Sequence, residues 1–516
     1  MVECKKGEEV IITKVENMFR IKSLTILHHY VLGNLHLDLW RGNEGFTEDI
    51  YSTVVIGING IGKSHLLRAI ADIFCYLEAL KSNDADIKKA PRFKFKIDYC
   101  LNDYLYEFAN IKDIEPVSRN IIEYSQLSCK KNGAFVSFHE MQLPERMIAS
   151  TMTVTDKFNT VGTSLYRYKG IRNENSPSTT GTRTMIRKTV SGLLHSLDVK
   201  EGFRDELKLL LDALGLEASM EVTYMLRYRD VFMKKDMSVD KINEIFSNQG
   251  KYFKSRETAL WGTRNYEKMK NDPHKMEVAT EYLRNCAEKY GEDAKKVIIN
   301  YHVLENEDFV KDREAIEVLS AIDILSFPSL VVFKKNRSFE FSESSSGETH
   351  ILCQMLGIMS DIEHGSLVMI DEPENSAHPN WQINYIGWLK KIFKSYSDCH
   401  FVIATHSHFL LTDMQPESSD IIALERNDNG EVHDISEGVN TFCWSVDDIL
   451  YRVFHVRNTR NRVFEERVAD LYDRIINRDD NLDAIKLLIN ELSRYQLNEG
   501  DPLRKLILKA KDYVES

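Results

Sequence analysis

Short apolar runs divided by polar turns open the chain. Runs at 10–12, 24–27 and 35–39 predict strands of a mostly antiparallel sheet. A β-rich run at 51–56 ends at Gly57, after which Leu66, Ile70, Ile73, Phe74 and Leu77 recur at helical spacing. Strand-like text returns at 93–99, 135–138 and 147–154. Residues 173–184, rich in Ser, Thr, Asn and Gly, predict a flexible loop. Residues 185–315 are charged and helical in pattern without sustained heptads, which predicts an inserted helical domain and no long coiled-coil arm. Strand patterns resume at 330–333 and 339–341. Two wholly apolar runs follow, 367–370 and 401–404, separated by a helical pattern over roughly 379–395. Such runs divided by a helix predict buried parallel strands. The tail should hold two helices. One starts at Ser445 with Asp448 three residues on. The other runs from Asn481, with Leu482, Ile485, Leu488, Ile489 and Leu492 on one face.

Composition narrows this picture. The 516 residues are 43% hydrophobic and 28% charged, as in an ordinary globular protein. A formal net charge of −12 argues against a surface that coats nucleic acid, while leaving room for a local basic groove. No apolar stretch is long enough for a membrane span, and residues 1–9 are too polar for a signal peptide. The eight cysteines are scattered with no C-x-x-C pair, which suits free thiols in a reducing cytosol. A cytoplasmic protein is therefore expected.

The candidate chemistry begins at Gly57-Ile-Asn-Gly-Ile-Gly-Lys63-Ser64, which fits G-x-x-x-x-G-K-[ST]. Gly57, Gly60 and Gly62 let backbone N–H groups turn inward around phosphates, and a helix N-terminus adds partial positive charge. Lys63 is expected to reach the β- and γ-phosphates, and the Ser64 hydroxyl to hold Mg²⁺. Further on, four apolar residues precede Asp371-Glu372. An acid ending a buried strand lies at the edge where ligands of parallel sheets sit, so Asp371 is read as the second Mg²⁺ ligand. Glu372 is read as the general base that polarises the attacking water. Ser344-Ser-Ser-Gly347-Glu348 stands before a helix, a second anion-binding pattern. Thr405-His406-Ser407 follows the apolar run at 401–404, where His406 can donate a hydrogen bond to a γ-phosphate.

The order GINGIGKS, SSSGE, LVMIDEPE, ATHS resembles the ABC-type ATPases of the RecF, SMC and OLD groups, over residues 50–72 and 340–411. The resemblance implies an α/β P-loop NTPase head: a mixed β-sheet plus a parallel core sheet flanked by helices, with an inserted helical domain and a C-terminal helical tail. It places Asn59 and Gly60 in the phosphate loop. Ser345 and Gly347 become the signature that contacts the γ-phosphate held by the other protomer, Asn375, Ser376 and His378 the D-loop, and His406 the switch histidine. ATP would then be sandwiched in a head-to-tail homodimer. The signature departs from L-S-G-G-Q, and the Q-loop glutamine is not placed; residues 150–155 are the region expected for it.

A narrower resemblance rests on LPERMIASTMTVTDKF and YRYKGIR, which look like the ATPase subunit of Septu-type anti-phage systems (PtuA), including retron-associated ones. It implies an HNH nuclease partner (PtuB-like) under nucleotide control, with a retron reverse transcriptase and its DNA or RNA as further possible partners. Only about 110 residues follow His406, with no D-x-D and upstream Glu, so no built-in nuclease is expected. The resulting division is 1–184 and 316–435 for the two parts of the head, 185–315 for the insertion and 436–516 for the tail, a candidate docking region. The alternatives are a RecF- or SMC-like repair ATPase that binds DNA directly, or the ATPase of another two-part defence system (AriA-like, PARIS). For direct DNA binding, basic residues among aromatics in the insertion, such as Lys251 beside Tyr252 and Arg264 beside Trp261, are the feature to weigh. A gap of roughly 280 residues between phosphate loop and signature disfavours a transport ATPase.

Overall fold

A computed structural model describes residues 18–41, 49–82, 90–111, 127–172, 182–252, 262–305, 307–326, 328–335, 337–341, 346–436, 444, 446–452, 461–477, 481–495 and 502–515. The chain divides into two compact units, 1–443 and 444–516.

Among the described residues the larger unit holds three sheets. The first is antiparallel, in the order β2-β1-β4-β5-β6-β7, built from β1 (Phe19–His29), β2 (Gly33–Asp38), β4 (Lys94–Leu101), β5 (Tyr104–Ala109), β6 (Ser128–Lys131) and β7 (Ala134–Phe135). The second is the core sheet, in the order β17-β16-β3-β15-β14-β8-β9. Its members are β3 (Tyr51–Gly57), β8 (Met147–Thr151), β9 (Tyr166–Gly170), β14 (Leu367–Asp371), β15 (His400–Thr405), β16 (Ser419–Arg426) and β17 (Val432–Asp434). All neighbours in it are parallel except β16 with β17. Strands β3, β8, β14 and β15 are buried almost throughout, which is why their text is apolar without alternation.

The helix Lys63–Lys81 shares one continuous core with both sheets. Its residues are buried on most sides, and Phe74 packs edge-on against Phe19 and Tyr99. Each fully buried Leu, Ile or Phe is worth about 1.5–3 kcal/mol, so packing and not intrinsic propensity holds this helix. The mixed α/β head expected from the sequence is thus present.

The third sheet corrects one expectation. β10 (Met220–Met225) and β11 (Ile298–His302) lie within the stretch read as wholly helical. They pair with β12 (Ser329–Lys334) and β13 (Arg337–Glu340) in the antiparallel order β11-β10-β12-β13. Their alternation covers only five or six residues each and is submerged among charged helices. The Ser/Thr-rich loop is also shorter than expected. Helix Thr182–Val199 absorbs its last three residues, because Met185, Ile186, Val190, Leu193 and Leu194 are all buried. Residues 173–181 lie outside the described residues, as does the strand expected at 10–12.

The smaller unit contains the helices Val446–Arg452, Arg462–Ile476, Leu482–Leu492 and Pro502–Glu515, so two helices beyond those expected. Asn481 caps the third, its side chain accepting from Ala484 N–H at 3.1 Å. Val468, Leu471, Ile485, Leu488, Ile489, Leu492, Ile507 and Ala510 form the unit's own core. Ser445 lies outside the described residues.

Candidate nucleotide site

Strand register assembles the site. At the carboxyl edge of the core sheet, Gly57 of β3 is level with Leu424 of β16, and Thr405 of β15 with Ile56 of β3. Asp371, the last residue of β14, sits between Ala404 of β15 and Thr151 of β8. Parallel pairing therefore gathers residues up to about 370 positions apart onto one edge, where open α/β sheets bind ligands.

The loop from Gly57 to Ser64 turns directly into the helix Lys63–Lys81. Gly60 and Gly62 have positive φ (82° and 118°), and Ile58, Asn59 and Gly60 are exposed. Gly57 is required for a different reason: a methyl group there would stand 2.7 Å from the Leu424 carbonyl of the neighbouring strand. Lys63 is buried, and its ammonium donates to the carbonyls of Gly57 (2.7 Å) and Ile58 (3.3 Å). Burial draws Lys63 below its ordinary 10.5, against the opposing pull of Glu372, Glu374 and Asp371.

Ser64 and Asp371 face each other, the Ser64 hydroxyl donating to Asp371 Oδ1 at 3.0 Å. Asp371 is 1% exposed. Burial pushes it up to about 7; the Ser64 hydrogen bond opposes this, while Glu372, Asp156 and Glu374 add to it. A hydroxyl and one carboxylate side by side suit Mg²⁺, which completes its octahedron with phosphate oxygens and water and needs no full protein cage.

Glu372 follows with φ of 49°, a left-handed conformation that costs on the order of 1–3 kcal/mol in a non-glycine residue. The Glu372 N–H donates to the Ala404 carbonyl at 2.8 Å, which holds the turn in place. Its carboxylate is part-exposed, and His406 Nδ1 lies 3.9 Å from Glu372 Oε1, beyond hydrogen-bond range. Phosphate loop, Asp371, Glu372 and His406 thus converge on one edge.

The signature is only partly described. Ser345 lies outside the described residues, whereas Gly347 stands in the first turn of the helix Ser346–Asp361. A methyl group at Gly347 would stand 2.5 Å from the Ser376 carbonyl, so this helix rests on the turn that follows Glu372. Ser376 has φ of 63°. His378 caps the next helix, Pro379–Ile392, accepting from Asn380 N–H at 3.3 Å, which gives it a structural task within the chain.

Several residues here carried no role in the sequence reading. Glu374 is 5% exposed and buried behind the loop 405–407. Thr151, level with Asp371, lies in the segment 150–155 expected to hold the Q-loop; no glutamine occurs there, and the Thr151 and Thr153 hydroxyls lie 3.0 Å apart. Asp156 takes a bidentate grip from Arg172 (Nε 2.8 Å, Nη2 2.5 Å) and a bond from the Tyr168 hydroxyl at 2.9 Å. This pair ties LPERMIASTMTVTDKF to YRYKGIR, two stretches with no visible link in the sequence. Beside the phosphate loop, Tyr30 is 78% exposed; it stacks on His29 at 4.7 Å and bonds His65 Nδ1 at 3.0 Å. Burial pulls His29 down to about 4, helped by His65 and Arg68.

In the insertion, the Lys251 ammonium and the Tyr252 hydroxyl both donate to Glu244, at 2.7 and 2.9 Å, so the charge of Lys251 is met within the insertion. Lys254, Arg256 and Trp261 lie outside the described residues. Among the described residues no helix is long and apolar enough to cross a membrane.

Residues 226–412 match the family described as "AAA domain, putative AbiEii toxin, Type IV TA system". No curated protein sequence matches the chain. Among solved structures, the SMC head domain from Thermotoga maritima is 12% identical, covering 81% of this chain and 98% of its own, with a TM-score of 0.34. The Smc head domain from Pyrococcus furiosus, with an extended coiled coil and bound to the C-terminal domain of ScpA, is 12% identical over 86% of this chain and all of its own, with a TM-score of 0.32. The recombination mediator RecF, in a structure titled RecF-ATPrS, is 12% identical over 81% and 99%, with a TM-score of 0.29. Likeness at this level speaks to neither ligand nor partner.

Proposed function

We propose that this chain is an ABC-type ATPase that binds ATP with Mg²⁺ at the 57–64 loop and hydrolyses it. The observation that carries this reading is the convergence at one sheet edge of Lys63, Ser64, Asp371, Glu372 and His406. Backbone N–H groups of the loop and the Lys63 ammonium bind the phosphates. Ser64 and Asp371 would hold the Mg²⁺, whose chemistry is to neutralise charge on the phosphate oxygens. Glu372, held at the strand end with an open carboxylate, takes a proton from the attacking water. Asn59 lines the loop, and Ser345 with Gly347 serves the nucleotide of a second copy, so that the working unit is a homodimer.

At a finer level, we read the chain as the cytoplasmic ATPase subunit of an anti-phage defence complex whose nucleotide state governs a partner HNH nuclease. Two features support this. The two stretches with the Septu resemblance are joined through Asp156 and Arg172, and Thr151 of the first is level with Asp371 in the sheet. The tail unit exposes Val463, Ile476, Leu487 and Leu508, apolar surface that suits a docking role.

Glu372→Gln tests the core of the reading. Turnover should fall by about a hundredfold or more while ATP binding persists, and the dimer should accumulate on size-exclusion chromatography with ATP. Wild-type turnover by Glu372→Gln would remove Glu372 as the base. For the finer reading, co-expression with an adjacent HNH protein should yield a complex whose nuclease activity changes on ATP addition.

A further inference from the structure

A cavity of about 650 Å³ lies between β9 and the helices Thr182–Val199, Arg313–Ala321 and Ser346–Asp361. No residue of the 57–64 loop lines it, nor do Asp371, Glu372 or His406. The elements around it are braced against one another. Gly192 lets the first helix press on the third: a methyl group there would stand 2.9 Å from the Ser360 hydroxyl. The Ser196 hydroxyl donates to the Ser360 carbonyl at 3.0 Å. From β9, Lys169 donates to the Ser360 hydroxyl at 3.1 Å and pairs with Asp361. Protein interiors leave few voids larger than a water molecule, so a space of this size among braced elements is a built feature. Its volume falls in the range of small-molecule sites, roughly 300–1,000 Å³.

The lining selects the occupant. Met185, Leu194 and Ile316 supply buried apolar surface, with the rings of Tyr168 and Tyr224. The charged residues are unbalanced. Arg167, Lys169, Arg187 and Lys188 line the cavity against the acids Glu317 and Asp361, so four cations and two acids leave two positive charges. The chain as a whole carries −12. The Lys188 ammonium donates to the carbonyls of Gly170 and Arg172, which cancel no charge. Ser320 adds a hydroxyl whose oxygen is buried with no hydrogen-bond partner among the described residues, a condition native structures seldom tolerate. Two surplus positive charges match a phosphate monoester, which carries about 1.5–2 negative charges at neutral pH. The apolar surface suits an organic body attached to that phosphate.

We propose that this cavity binds a small phosphorylated molecule of nucleotide size, at a site separate from the phosphate loop. The phosphate meets the Arg and Lys side chains, and the organic part lies against Met185, Leu194 and Ile316. The occupant touches β9, whose last residue, Gly170, is level with Thr151 of β8, itself level with Asp371. The cavity therefore stands two strands from the nucleotide edge.

Isothermal titration calorimetry with AMP and with inorganic pyrophosphate tests this on the full chain. At least one probe should bind saturably below about 1 mM, and Lys63→Ala should leave that binding within about twofold. Arg187→Glu should weaken it about tenfold or more, because attraction for phosphate becomes repulsion. Ser191→Trp, which puts an indole into the space, should abolish it. Arg187 and Ser191 both line the cavity from exposed positions, so these variants should melt close to the wild type; if one melts early, the other carries the test. Binding of AMP alone supports a site that needs the organic body, and binding of both probes supports one that phosphate alone can fill. Two results overturn the proposal. One is that neither probe binds up to about 1 mM. The other is binding that disappears in Lys63→Ala, or persists in both Arg187→Glu and Ser191→Trp, since the probe would then sit elsewhere. Turnover plays no part in these titrations, so they stand apart from the ATPase reading.

Discussion

Replacing Asp371 with Asn should make the nucleotide-free protein more stable while disabling it. Asp371 is buried among Glu372, Asp156 and Glu374, and its carboxyl is pushed from an ordinary 3.8 up to about 7. Because the folded-state value is the higher, this group's contribution to stability is complete below pH 3.8 and is lost as pH rises through 7. At about 1.4 kcal/mol per pH unit, and relative to acid pH, this group costs the fold about 4 kcal/mol at pH 8 and about 2 kcal/mol at pH 5.5, the latter because the unfolded chain ionises while the folded carboxyl stays protonated. Asn carries no charge, and its Oδ1 still accepts from Ser64. Asp371→Asn should therefore melt above the wild type without ligand, with an advantage that widens by about 2 kcal/mol from pH 5.5 to pH 8. Differential scanning calorimetry at the two pH values, with and without Mg²⁺-ATP, reads all of this. Mg²⁺-ATP should raise the melting point of the wild type far more than that of the variant, and ATP turnover by the variant should be lost. Two results would refute the reasoning: a variant less stable than the wild type at pH 8, or an advantage unchanged between the two pH values.

Two further outcomes are expected. His400 is fully buried and neutral; Nδ1 accepts from Ile21 N–H at 3.0 Å, and Nε2 meets Thr53 Oγ1 at 2.8 Å, whose own hydroxyl proton goes to the Leu39 carbonyl. Burial holds His400 well below its ordinary 6.5, so stability from the neutral ring is present above pH 6.5 and falls by about 1.4 kcal/mol per pH unit below it; His400→Gln should flatten that slope in thermal melts. Gly347→Ala must open a 2.5 Å contact with the Ser376 carbonyl, so it should cost about 1–3 kcal/mol in melting experiments and lower turnover, with ATP binding to the isolated protomer unchanged.

The legible part of the molecule was the part where burial is uniform. Strands 367–370 and 401–404 stood out because both faces are covered, leaving no polar residue to blur them. The loop at 57–64 and the acids at 371 and 372 were visible because their chemistry demands fixed spacing. β10 and β11 were not, since each has only a few alternating residues and its partners lie far along the chain. Glu374 escaped for a related reason: two of its donors are backbone N–H groups 32 and 33 positions away, and any sequence can supply those. Thr151 reached the site through strand register alone, which no local pattern records.

Two glycines of the candidate site bear on how divergent relatives of this chain should be read. Gly57 is compelled by the Leu424 carbonyl of its own sheet and Gly347 by the Ser376 carbonyl of its own turn, before any ligand is considered. A descendant that had lost nucleotide chemistry would still lose stability on replacing either one. Lys63 would be released first, since burial disfavours its charge and its two carbonyl contacts repay little. Activity among such chains should therefore be diagnosed from the lysine and the acids, with the glycines counted as marks of architecture.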